Sequence, residues 1–303
     1  MPRTLILWIV AAFAAYPVYV VGQTPAVGPA VSIPFFASDA RDKAVSDVTP
    51  ADVEVLDNKK PPQSVVEIRG ASELPLRLGV LISTSGSETL SKVYPDEVEA
   101  ASDLLTRVLN GATDTAFVEK FGREATATEF LSRGELGPLA IDNKPFGPSA
   151  FYDAIGFACD ERMSKNPLRF ERRVIVLIGD GHDNASHIDH KQAIARAQTA
   201  GVVIFALDTE THFSTFGGGD DDSMLEQFAE QSGGLAFLHL DRKDVPKVFA
   251  TIKEQIDNMR VLSYVPAAPL QNGQRRSLEL KSASNRKLKL RAPKAYYLNA
   301  TTQ

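Results

Sequence analysis

Three unbroken apolar runs constrain this chain more than any other feature. They are Leu78–Ile82, Val174–Ile178 and Val202–Leu207. Each is too short for a helix that buries one stripe, and none alternates polar with apolar residues. Such runs predict strands buried on both faces, as in a parallel sheet with helices on either side. The segments between them supply the helices. "PDEVEAASDLLTRVLN" carries Val98, Leu105 and Leu109 on one face and ends at Gly111. "SAFYDAIGFACDERM", "DHKQAIARAQTA", "DDDSMLEQFAEQSGG" and "KDVPKVFATIKEQIDNM" read the same way. "TDTAFVEKF" and "EATATEFL" around Gly122 read as a hairpin, and "LAFLHL" as a further strand. The β-α alternation predicts a doubly wound, mostly parallel sheet over residues 72–260.

The flanks obey another rule. Residues 31–70 hold short strand-like pieces split by Asp, Pro and Lys-Lys turns, and residues 261–298 hold strictly alternating runs such as Ser277–Lys281 and Lys287–Arg291. Alternation marks half-exposed antiparallel strands. Neither flank has enough strands for its own core. The expectation is one small β-sandwich built from both flanks, with the α/β domain inserted between its halves.

The N-terminus reads as a signal peptide over residues 1–22. Arg3 precedes an almost purely apolar stretch, "LILWIVAAFAAYPVYVV", with cleavage expected near Gly22 or Gln23. An uncleaved anchor is the alternative, although Pro17 and the short length fit a span poorly. The body is expected to be exported, periplasmic or secreted. A single cysteine, Cys159, excludes an internal disulfide and reads as a small buried side chain. The net charge of −5 gives no footing for nucleic acid.

In open α/β sheets ligands bind beyond the carboxyl ends of the strands. The first run ends in Ser83-Thr84-Ser85-Gly86-Ser87, the second in Gly179-Asp180-Gly181-His182-Asp183-Asn184, and the third in Asp208-Thr209-Glu210. Phe146-Gly147-Pro148-Ser149 precedes a helix and is expected to face the same crevice. Hydroxyls and carboxylates gathered at one edge suit a hard divalent cation such as Mg²⁺. Such a loop also serves simply as a turn and a cap.

These residues carry a resemblance. "VLISTSGS", "GPSAFYDAI" and "VIVLIGDGHDN" resemble a von Willebrand factor type A domain. Residues 31–298 further resemble the bacterial von Willebrand A-related family found in acidobacteria, through "VTPADVEVLDNKKPPQ" and "LSYVPA…LKLRAPKAYYL". The resemblance implies a metal-ion-dependent adhesion site. Its Asp-x-Ser-x-Ser element maps onto Ser83, Ser85 and Ser87, its Thr onto Ser149, and its later Asp onto Asp180, with Gly179 where the family has Thr. Ser83 departs from the pattern, because the family has Asp there. A lost outer-sphere partner costs ~10–100-fold in metal affinity. A lost full charge costs more, since unit charges ~4 Å apart at an effective dielectric of ~20 interact by about 4 kcal/mol. Mg²⁺ or another divalent cation is therefore expected to bind weakly or not at all.

"GHDNASHIDH" offers His182, Asp183, His187, Asp189 and His190 as a zinc cluster, yet its spacing matches no metal template and Asp189 sits where a helix starts. "FGGGDDDS" reads as a loop leading into an acidic helix start. No nucleophile elbow or phosphate loop is present in the sequence. The expectation is a non-enzymatic adhesion or scaffold protein that holds another protein on the top of the α/β domain. The alternatives are a metal-assisted hydrolase using His182, His187 and His190, and a purely structural envelope subunit.

Overall fold

The computed structural model describes residues 30–85, 92–139, 147–168, 170–208, 218–269, 271–283 and 286–298. The expected signal peptide lies outside the described residues. Strands β1 (Val31–Ser38), β2 (Val53–Asp57) and β3 (Ser64–Arg69) come first. They are followed by β4 (Leu76–Ser83), α1 (Tyr94–Val108), β5 (Thr115–Phe121), β6 (Ala125–Ala127) and α2 (Phe151–Phe157). Next are β7 (Arg172–Ile178), α3 (His190–Ala200), β8 (Val203–Leu207), α4 (Gly218–Ser232), β9 (Ala236–Phe237) and α5 (Val245–Asn258). The chain closes with β10 (Arg260–Val265), β11 (Arg275–Ser282), β12 (Lys289–Arg291) and β13 (Ala295–Tyr297).

The apolar runs form the centre of a six-stranded sheet in the order β6-β5-β4-β7-β8-β9. All its pairings are parallel except the β5–β6 hairpin. Alternate residues of each central strand feed two separate cores. Leu78, Val80 and Ile82 pack with α1 and α5, while Leu81, Ile175 and Leu177 pack with α2, α3 and α4. This two-sided burial is why the strand sequences show no alternation. Gly234 follows α4 so closely under β8 that a Cβ there would lie 1.8 Å from the Ile204 carbonyl oxygen.

The flanking strands form two further sheets, β12-β1-β10-β3 and β13-β11-β2. Each mixes strands from both ends of the chain, and they face one another across a core containing Phe35, Val55, Leu262, Tyr264 and Tyr296. The α/β module therefore leaves the sandwich after β3 and returns at β10. These two strands are antiparallel neighbours, with Val261 opposite Arg69.

The seam between the layers is tied at Arg291. Its guanidinium lies 4.2 Å from the centroid of Phe36 and donates to the Gly233 carbonyl and to Gln255 Oε1. Burial without an acidic partner pulls its pKa down to about 10. Phe36, although on β1, belongs to the α/β core, 6.2 Å from Phe205 edge-on.

Two local expectations change. The helix over "SAFYDAIGFACDERM" is α-helical only to Phe157. Ala158–Met163 is wound as a π turn, and Arg77 gathers the carbonyls that follow it, with Nη1 2.7 Å from Lys165 O and Nη2 3.1 Å from Asn166 O. Residues 218–222 of "FGGGDDDS" belong to α4, so the loop is shorter than the composition implies; Gly217 lies outside the described residues.

Candidate functional site

The carboxyl edge of the six-stranded sheet brings three segments together. β4 ends at Ser83, whose carbonyl accepts a 2.8 Å bond from the Tyr94 hydroxyl at the start of α1. The next residue turns the other way. Thr84 donates from both its amide and its hydroxyl to the Phe121 carbonyl, at 2.7 and 2.9 Å. The turn leaves Ser83 and Ser85 buried against each other. Their hydroxyls are 3.3 Å apart, and the Ser85 amide donates to Ser83 Oγ at 3.4 Å. Ser87 lies outside the described residues.

β5 also anchors the second segment. The Gly122 carbonyl accepts from the Ala150 amide at 2.7 Å, next to Ser149. Ser149 is held on both sides by Asn184: its amide donates to Asn184 Oδ1 at 2.9 Å, and its carbonyl accepts from the Asn184 amide at 3.0 Å. With the backbone so fixed, the Ser149 hydroxyl is buried and has no hydrogen-bond partner among the described residues.

Asp180 closes the third segment. Ile178 stands opposite Ile82 in the parallel ladder, so the residues just beyond, Asp180 and Ser83–Thr84, leave the sheet side by side. Asp180 is buried, and its Oδ1 accepts from the His182 amide at 3.0 Å across Gly181, whose φ of 80° suits glycine. Asp208, at the end of β8, is buried too and accepts from the His239 amide at 3.2 Å.

Sequence reasoning missed the group that holds this edge in place. α2 has no cap from its own flank. Instead the 183–186 loop caps it from across the site. Asp183 accepts from the Tyr152 amide at 3.1 Å, and Ser186 Oγ accepts from the Asp153 amide at 2.9 Å while donating to Asp183. Asp153 returns the favour by accepting from the His187 amide (2.9 Å), His187 Nδ1 (2.7 Å) and the Ile188 amide (3.1 Å). Burial pushes the Asp153 carboxyl up, but those bonds from His187 and Ile188 outweigh it and hold it below the usual carboxylate range. Asx and Ser in "HDNAS" were the available signal; their partners are distant in sequence and so were not legible.

The histidine loop therefore serves as a cap. Asp189 N-caps α3, accepting from the Gln192 amide at 2.8 Å, and His190 opens that helix. Among the described residues no group of three His, Cys, Asp or Glu side chains is placed to hold a metal. Cys159 is buried and free, and burial raises its thiol pKa well above the ordinary value. No helix among the described residues is long and apolar enough to cross a membrane.

No family model matches this sequence, and no curated protein does. Solved structures of similar shape include proximal thread matrix protein 1 from the mussel byssus, at 12% identity and a TM-score of 0.48, covering 61% of this chain and 48% of that one. A crystal form of the same protein has zinc in its MIDAS motif. A von Willebrand factor type A protein from Catenulispora acidiphila matches at 12% identity and a TM-score of 0.47, over 84% of this chain and 76% of its own. An aerotolerance-related membrane protein from Bacteroides fragilis matches at 16% identity and 0.42, over 60% and 98%. This chain spans about half the length of the mussel protein.

Proposed function

We propose that this chain is an exported, non-enzymatic binding protein of the bacterial von Willebrand A-related type. In this reading it presents the carboxyl edge of its six-stranded sheet to another protein, as adhesion and scaffold proteins do. Export is inferred from the apolar segment after Arg3. The observation that carries the reading is the Ser149 hydroxyl. A buried oxygen with no partner costs about 1–3 kcal/mol unless something outside the chain completes it.

Ser85, Ser149 and Asp180 fit a hard cation by chemistry, since all offer oxygen. When bound, Mg²⁺ would supply a positive charge for an acidic side chain of the partner. Ser87 belongs to the same set by sequence. Ser83 weakens the fit, because its hydroxyl carries no charge and is already engaged with Ser85. The proposed edge thus depends on a weak cation, or on hydroxyls and backbone groups alone.

Calorimetry with Mg²⁺ and Mn²⁺ tests this on the unmodified protein and on Ser83→Asp. Restoring the carboxylate is expected to tighten binding by at least ~10–100-fold. Tight binding without the substitution, or no gain with it, would refute the degenerate-site reading. Affinity capture from the cell envelope tests the surface itself. Asp180→Ala should abolish capture of the partner, and undiminished capture would move the binding face elsewhere.

A further inference from the structure

Glu119 lies in the middle of β5, between Phe117 and Phe121 on the side that packs against α2, and none of it is exposed to solvent. Both of its carboxyl oxygens are buried without a hydrogen-bond partner among the described residues. Its neighbours offer almost nothing polar. Leu81 stands opposite on β4 and Ala127 on β6. The titratable and charged groups that face it come from the π turn: the free thiol of Cys159 and the guanidinium of Arg162. Beyond Cys159, Asp160 is paired with Arg196 at 3.0 Å.

Arg162 is the unusual member. Its Nε is buried and unpartnered, as the carboxyl is. Its outer nitrogens instead reach the Glu161 carbonyl at 3.4 Å and the exposed carboxylate of Glu129 at 3.6 Å. A buried acid and a partly buried base thus sit within each other's field without a hydrogen bond between them. Two residues further along β5, the Phe121 carbonyl holds Thr84 twice, and the Gly122 carbonyl holds Ala150. The strand that carries Glu119 therefore ties down both loops of the sheet's carboxyl edge.

We propose that Glu119 is a proton-held latch on β5: while its carboxyl keeps the proton, the strand end stays seated and fixes the Ser83–Ser85 and Ser149–Ala150 segments, and when the proton passes to solvent the carboxylate draws Arg162 away from Glu129 and unseats that end. The driving force is the cost of an ionised carboxylate among Phe117, Phe121 and Leu81. Burial pushes the Glu119 carboxyl up to about 8, against the pull of Arg162. The folded value lies above the ordinary 4.5. The proton's contribution to stability is therefore complete below that ordinary value, is lost as pH rises through 8, and changes no further above it. The latch opens on the alkaline side of neutrality, and its own groups, Glu119 and Arg162, are separate from those that would hold a cation or a partner at the edge.

Denaturant unfolding of the whole protein and of Glu119→Gln from pH 5 to 9 tests this. Relative to the Gln variant, the unfolding constant of the unmodified protein should rise by roughly a hundred- to a thousandfold across that range. Amide exchange at Thr84 and Ala150, corrected for its intrinsic pH dependence, should accelerate above pH 8 only in the unmodified protein. Arg162→Ala should move both transitions to higher pH. A pH-independent difference between the two proteins, or exchange at Thr84 and Ala150 that stays parallel in both, overturns the proposal. Should Glu119→Gln fail to fold, the Glu119 side-chain carbonyl shift can be titrated in the unmodified protein. A midpoint near 8 supports the latch and one near 4.5 overturns it.

Discussion

Asp57 in the β-sandwich and Glu119 in the α/β module are both buried carboxyl groups, and the two layers treat them in opposite ways. Asp57 accepts from Arg276 Nε at 2.8 Å, from the Tyr296 hydroxyl at 2.9 Å and from the Tyr264 hydroxyl at 3.3 Å. Burial, together with Asp57 and each other's hydroxyl, sets those two phenols; Tyr264 is raised far beyond its ordinary range. Glu119 has no hydrogen-bond partner at either oxygen among the described residues. The sandwich joins strands from opposite ends of the chain, and a polar knot drawn from β2, β10, β11 and β13 specifies which strands meet. The parallel sheet is specified mainly by its apolar strands, and it accommodates a carboxyl group that has no hydrogen-bond partner among the described residues.

That contrast is easiest to break at Asp57. Asp57→Ala would leave Arg276 buried without its counter-charge and is expected to cost about 3–5 kcal/mol in urea unfolding. Glu119→Leu, which removes an unsatisfied group at similar volume, should do the reverse and stabilise the protein by about 1–3 kcal/mol at neutral pH. If both changes destabilised to a similar degree, the two acids would be equivalent and the contrast would fail. A finer test lies at the edge of the sheet. Asn184→Ala removes the acceptor of the Ser149 amide and should cost about 0.5–1.5 kcal/mol, with faster exchange at that amide. Unchanged exchange would mean that Asn184 does not hold Ser149.

Much of this architecture was legible in the sequence because the signals were local. Leu78–Ile82, Val174–Ile178 and Val202–Leu207 announce double-sided burial by lacking alternation, and Ser277–Lys281, which alternates, lies in β11 with one face toward the core and one toward solvent. Ser83, Ser85, Ser149 and Asp180 could be placed at one edge because strand ends in such sheets are fixed by topology. What escaped was non-local. Nothing near Asn184 says that its partner is Ser149, nothing near Glu119 says that its surroundings are apolar, and Arg291 reads as one more cation on an alternating strand. The π turn at Ala158–Met163 has the composition of an ordinary helix, and Gly218–Gly219 look like loop residues although α4 includes them. Helix propensity there is outweighed by the packing of Leu225 and Phe228 further along the same helix.

The adjacency of β3 and β10 also governs the order of assembly. Arg69 and Val261 are ladder partners, yet the whole α/β module lies between them in the chain. In an extended chain, bringing them together means closing a very long loop before any sandwich contact rewards it. A folded α/β module removes most of that penalty, because its own entry and exit already emerge side by side. The sandwich is therefore expected to form after the module, with the first and last strands of this protein waiting on everything between them.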